Sequence, residues 1–132
     1  MTPSKSGFAL EGRTTTPIAQ LNPDLTDTSV RAVTGTVGLV WPYNSTSKTL
    51  AFILTEQNRR SKGQVRVQLR GSSAAAVAAV KLGYGDSVTL ALEGVEWVKD
   101  DTVPFPAARV EWQLQFTDKL VLQVRNLSLI HI

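Results

Sequence analysis

Trp41, Tyr43 and Trp97, with cations at Lys48, Arg59, Arg60, Lys62, Arg66 and Arg70, are the side chains of this 132-residue chain whose types and spacing point to chemistry. That chemistry is recognition, not bond-making. An aromatic face stacks on a nucleobase for about 1–3 kcal/mol with little regard to which base it is, while Arg and Lys track the phosphates beside it. Trp41 and Tyr43 flank Pro42 where a strand enters a loop, and Lys48 closes that loop. Arg66 and Arg70 alternate with Val65, Val67 and Leu69, which sets an apolar face against a cationic one. A single aromatic more often fills a core: Trp41 could cap one, Tyr43 could be plain surface, and Trp97 and Trp112 could pack under a long loop. Trp41 and Tyr43 together, beside a flexible loop, read as ligand contacts.

Charge is polarised along the chain. Residues 58–84 hold six cations and no acid, whereas residues 86–132 hold seven acids against four cations. Such a patch suits an anionic polymer, because each neutralised phosphate releases condensed counterions. Its bland reading is a solvated loop and an outer strand face.

Composition excludes most other chemistry. With no cysteine, zinc ribbons, iron–sulfur sites and disulfide scaffolds drop out. His131 is the one histidine, so neither a histidine triad nor a facial metal site can be assembled. No phosphate-binding glycine loop is present, and Gly83-Tyr84-Gly85 reads as a turn. Asp100-Asp101 could ligate a cation, but paired acids in a long loop are usually just solvated. No catalytic residue, metal or cofactor is expected. No basic-then-apolar leader opens the chain and no apolar run approaches about 18 residues, so a soluble, unsecreted protein without a membrane partner is expected. The sequons at Asn44-Ser45-Thr46 and Asn126-Leu127-Ser128 read as chance occurrences.

The elements that must position these residues follow from periodicity and turn signals. Residues 1–15 lack an apolar period and read as a flexible tail, leaving 16–132 as a single domain. Thr16 to Leu21 reads as a helical turn with Pro17 early and Ile18 and Leu21 facing the domain. A long first strand starts at Val30, with Gly35 and Gly38 predicting a bulge or tight coiling. A second strand covers 49–55 and a third 64–70. Residues 72–82 carry the signals of one short helix closed by Gly83. A fourth strand covers 86–98, bent at Gly94, and a long loop spans 99–107. Segments 108–116 and 120–125 are expected to form a last hairpin around Thr117-Asp118-Lys119.

Three strands, a helix, then further strands is the order of an OB-fold. The expected class is all-β: a five-stranded Greek-key barrel with one helix between strands 3 and 4, plus a C-terminal hairpin. Another small barrel, or an open sheet with one helix, is the competing arrangement.

Several segments also carry a family resemblance. Thr16-Pro17-Ile18-Ala19-Gln20-Leu21, Gly35-Thr36-Val37 followed by Trp41-Pro42-Tyr43, Gly85-Asp86-Ser87-Val88 and Glu111-Trp112-Gln113-Leu114-Gln115-Phe116 resemble, in order and spacing, the N-terminal OB domain of the protection-of-telomeres family, especially its filamentous-fungal members. The resemblance spans roughly residues 16–124. It implies the N-terminal part of a longer nuclear protein that binds G-rich single-stranded telomeric overhangs and caps chromosome ends, in company with other telomere-complex proteins. It places base stacking at Leu39 through Trp41, at Arg70 and near Trp97. Arg70 stands where that family often carries an aromatic, and Leu39-Val40-Trp41 replaces an aromatic pair. Arginine can both stack and pair with phosphate, so binding survives that change more easily than sequence specificity. The alternative is a protein-interaction or dimerisation module of a telomere complex, with Leu39, Val40 and Phe105 exposed together.

Overall fold

The computed structural model describes residues 10–56, 63–102, 107–125 and 128–132. Its organising strand is β2 (Arg31–Asn44), flanked at its start by the short β1 (Thr14–Thr15), which pairs with it in parallel through Thr14–Arg31 and Thr15–Ala32. These two threonines fall inside the segment expected to be a tail, where Arg13 also pairs with Glu93 at 2.9 Å.

β2 serves two neighbours in succession. Its first half, Ala32 to Thr36, pairs antiparallel with β5 (Ser87–Ala91), and its second half, Thr36 to Asn44, with β3 (Thr49–Thr55). The changeover requires the bulge that two glycines predict, and the register does shift between Val37 and Leu39. Gly35 is needed for a second reason. A Cβ there would lie 2.6 Å from the Thr55 carbonyl oxygen and 2.8 Å from Leu54 Cγ, so any side chain would push β2 and β3 apart.

β3 pairs antiparallel with β4 (Gln64–Arg70), and β4 pairs in parallel with β7 (Trp112–Phe116). β7 also pairs antiparallel with β6 (Glu96–Lys99). β5 and β6 are halves of one expected fourth strand, broken at a turn in which Gly94 has φ +81° and Val95 N–H donates to Leu92. Through that turn the circuit β2-β3-β4-β7-β6-β5-β2 closes. The protein is therefore all-β and OB-like, with more strands than five.

The expected last hairpin is corrected. β7 and β8 (Val121–Val124) do not pair with each other: β7 goes to β4 and β6, while β8 goes to β5 and to β9 (Ser128–His131). Leu114 and Phe116 on one side, and Leu122 and Val124 on the other, are all fully buried. Each strand is thus drawn to a separate wall of the core, which a direct hairpin would forbid.

The helix α1 (Ser72–Ala79) lies between β4 and β5 as expected and buries Ser73, Ala74 and Val77. Its first turn is tied from a distance, the Ser72 N–H donating to Asp118 Oδ1 at 3.0 Å. The 3-10 turn Ile18–Gln20, anticipated from Pro17, buries Ile18 and is followed by buried Leu21. The Ile18 N–H donates to Glu56 Oε2 at 2.8 Å, which fastens this turn to the end of β3. Alternation does the rest: Leu50, Phe52 and Leu54 of β3 and Val65, Val67 and Leu69 of β4 point inward. Their neighbours lie on the opposite face of the sheet, where Arg66 and Gln68 of β4 are part-exposed while Ala51 and Ile53 of β3 are still buried. Among the described residues, no helix is long and apolar enough to cross a membrane.

Candidate nucleic-acid interface

The outward face of β2, β3 and β4 is built in rows set by strand register. One row reads Leu39–Ile53–Arg66 and the next Trp41–Ala51–Gln68, with Thr49–Arg70 beyond. Arg66 reaches diagonally to the Trp41 row, placing its guanidinium carbon 4.4 Å from the Trp41 ring centroid. Trp41 remains 37% exposed and Leu39 50% exposed. The small side chain of Ala51 leaves a depression between Trp41 and Gln68, a groove of about 340 Å³ also lined by Pro42, Asn44, Thr49 and Arg66. No acid lines it.

Neither arginine on this face is neutralised. Arg66 and Arg70 make no salt bridge with any described residue, and the Arg66 Nε is buried without a hydrogen-bond partner. The nearest acid along the groove's own row is Glu96, beyond Gln115. It already accepts a hydrogen bond from the Thr117 hydroxyl at 3.1 Å.

The structure separates other residues that sequence reading groups together. Tyr43 is not beside Trp41. A further register shift between Trp41 and Asn44 turns it to the other side of the strand, where it packs on the core and lines two clefts next to α1. Lys48, at φ +56° in the turn before β3, lines one of these clefts with Tyr43, Ser72 and Asp118. Trp97 is also corrected: it pairs with fully buried Leu114 and packs inward against the core, so it does not wall the groove. Outward parity on β6 belongs to Glu96 and Val98 instead. Arg59, Arg60 and Lys62, like Phe105, lie outside the described residues.

Trp41, Arg66 and Arg70 thus share one surface, and Gln68 is the groove residue that attention to charge passes over. Its signal lies in its spacing, two residues from each arginine on the same strand face.

Asp100 departs from the expectation of a solvated acid pair. Its side chain is 1% exposed and sits 3.6 Å from Arg109 Nη1, and the Thr102 hydroxyl donates to its Oδ1 at 2.6 Å. Asp101 is exposed. Among the described residues, no group of three or more His, Cys, Asp or Glu side chains gathers as a metal site.

Beside the turn that follows α1, Asp86 accepts from the Gly83 N–H at 2.8 Å and from Arg125 Nη1 at 2.6 Å. Burial works to raise its carboxyl pKa, but the Gly83 hydrogen bond and the Arg125 guanidinium together outweigh burial and hold it below 3.8.

Residues 11–129 match the family model described as "Domain of unknown function (DUF8502)". The chain belongs to this family. A search of curated proteins finds no match. Among solved structures, the DUF8502 chain is similar to a protein described as an aspartyl-tRNA synthetase from Leishmania major Friedlin, with a TM-score of 0.59 and 11% identity. That likeness covers 95% of this chain but 22% of the other, so it concerns the fold of one part of a much longer protein. A small single-stranded DNA-binding protein from Streptomyces coelicolor aligns over 76% of this chain and 89% of its own, at a TM-score of 0.41 and 13% identity.

Proposed function

We propose that this domain binds single-stranded nucleic acid across the outer face of β2, β3 and β4, by stacking and phosphate neutralisation and without bond-making chemistry. The observation that carries the reading is the Arg66 guanidinium over the part-open Trp41 ring, in a groove whose lining holds no acid. A part-buried cation with no carboxylate partner costs stability, and an incoming phosphate would supply the missing charge. An aromatic platform beside it suits a base.

The finer reading rests on the motif resemblance alone. The ligand in that case is the G-rich single-stranded overhang of a chromosome end, and the domain works in the nucleus, within a longer protein and beside other telomere-complex proteins. Fluorescence polarisation with telomeric and scrambled single strands, with RNA and duplex controls, at two salt concentrations tests both levels. Tight, salt-sensitive binding to single strands is expected. Equal affinity for the scrambled strand would remove the telomere reading and keep the coarser one, and no binding to any strand would remove both.

A protein-interaction module is favoured by one observation, the 50% exposure of Leu39 on the same face. Val40, grouped with it in the sequence reading, instead packs against the core. Light scattering that shows a dimer indifferent to nucleic acid would select this reading.

A further inference from the structure

The geometry points to Gln68 as the residue that reads a base edge in the Trp41 groove, with adenine as its preferred base. The inference rests on the single-strand reading above and goes beyond it by assigning specificity to one amide.

Sequence-tolerant stacking and phosphate pairing account for affinity, not for choice among bases. Choice requires a donor and an acceptor beside the stacked ring, and the groove's polar side chains differ in what they have left to offer. Asn44 accepts from the Thr46 and Ser47 N–H groups through its Oδ1, at 2.9 and 3.1 Å. The Thr49 hydroxyl is engaged with that of Ser47 at 2.7 Å. Arg66, the side-chain type suited to the two acceptors of guanine, has its guanidinium over Trp41. Gln68 alone in the lining keeps both a carbonyl acceptor and amide donors without a partner among the described residues.

Its position is equally specific. Gln68 shares a row with Trp41 and is separated from it only by Ala51. A base that enters the groove over Ala51, against the paired Trp41 ring and Arg66 guanidinium, has the Gln68 amide within the same lining. The space, about 340 Å³, falls in the range of about 300–1,000 Å³ typical of small-ligand sites. Adenine complements an amide best. It carries its N6 donor between the N1 and N7 acceptors, so both edges remote from the sugar can form the two-bond contact, whereas guanine offers such a pair on its Watson–Crick edge and, beside the sugar, at N3 and N2, and each pyrimidine on its Watson–Crick edge alone.

The test is fluorescence polarisation with a strand of twelve thymidines and with variants carrying one central adenine, guanine or cytosine. Wild-type protein should bind the adenine-bearing strand about tenfold more tightly than the all-thymine strand, toward the low end of what a bidentate base contact supplies. Gln68→Ala and Gln68→Met should erase that ratio, with Met preserving the packed stem. A ratio near one in the wild type, or a ratio that survives in Gln68→Met, overturns the assignment to Gln68 while single-strand binding stands. Absence of binding to all four strands overturns the single-strand reading and this inference with it.

Discussion

Arg66 and Arg109 lie close together in the fold, since Arg109 bridges to Gln64 at the start of the strand that carries Arg66, yet their charges meet opposite surroundings. Arg109 faces buried Asp100 at 3.6 Å, in a cluster completed by Thr102. Arg66 faces a tryptophan ring and no acid. Among the described residues Arg13, Lys99, Arg109 and Arg125 each have a carboxylate partner, whereas Arg66 and Arg70, like Arg31, Lys48, Lys81 and Lys119, have no salt bridge. The difference separates charges that close the structure from charges left for something outside it. A count of cations along the chain cannot make that distinction, because it is decided by which acids the fold brings near.

This contrast can be broken at either end. The largest effect is expected on the paired side. Arg109→Met leaves Asp100 buried without its counter-charge and should destabilise the fold by about 3–5 kcal/mol in urea unfolding, with binding by the folded fraction unchanged. A loss under about 1 kcal/mol would mean that the pair is structurally idle. On the unpaired side, Trp41→Ala should reduce single-strand affinity by about 1–3 kcal/mol, the worth of one stacking platform, and leave the unfolding midpoint almost unmoved. The opposite pattern, lost stability with retained affinity, would return Trp41 to the core.

Arg70→Ala is expected to act more weakly and in a different way. It should weaken binding to all sequences alike and lower the salt slope by about one, as for the loss of one phosphate contact. An unchanged slope would deny Arg70 that contact.

The smallest effect concerns Asp86. Its folded pKa lies below 3.8, so the folded state binds its proton less readily than the unfolded chain. The stabilisation from its Gly83 and Arg125 contacts is fully present above pH 3.8 and declines as pH falls through the lower, folded value. The stability gap between wild type and Asp86→Asn should hold near neutral pH and narrow below pH 3.8. A gap that widens in acid would reverse the sign of the linkage.

Much of the barrel is legible in the order of residues alone. β3 and β4 fall at 49–55 and 64–70 as predicted, β3 from a nearly continuous apolar run between turns, whose five central residues are all buried, and β4 from its strict alternation. Gly35, Gly38 and Gly94 correctly mark the bulge and the break in the fourth strand. The terminal pairing is not legible. Segments 108–116 and 120–125 have the spacing of a hairpin, and only the competing demand of two core walls sends β7 to β4 and β8 to β5. The site is readable in part for a similar reason. Trp41, Arg66 and Arg70 follow from parity within single strands. Trp97 does not, since its facing depends on the register with β7, and Tyr43 does not, since a register shift intervenes.

By itself, then, the sequence determined the strand order, the place of the helix, and a cationic outer face on the third strand, all of which arise from local periodicity and turn chemistry. Tertiary structure decided which aromatic joins that face, which acids neutralise which arginines, and that a small alanine between Trp41 and Gln68 opens a groove. Those are consequences of registration between strands distant in sequence. No local pattern encodes that registration, because it is set by how the two walls of the core pack together.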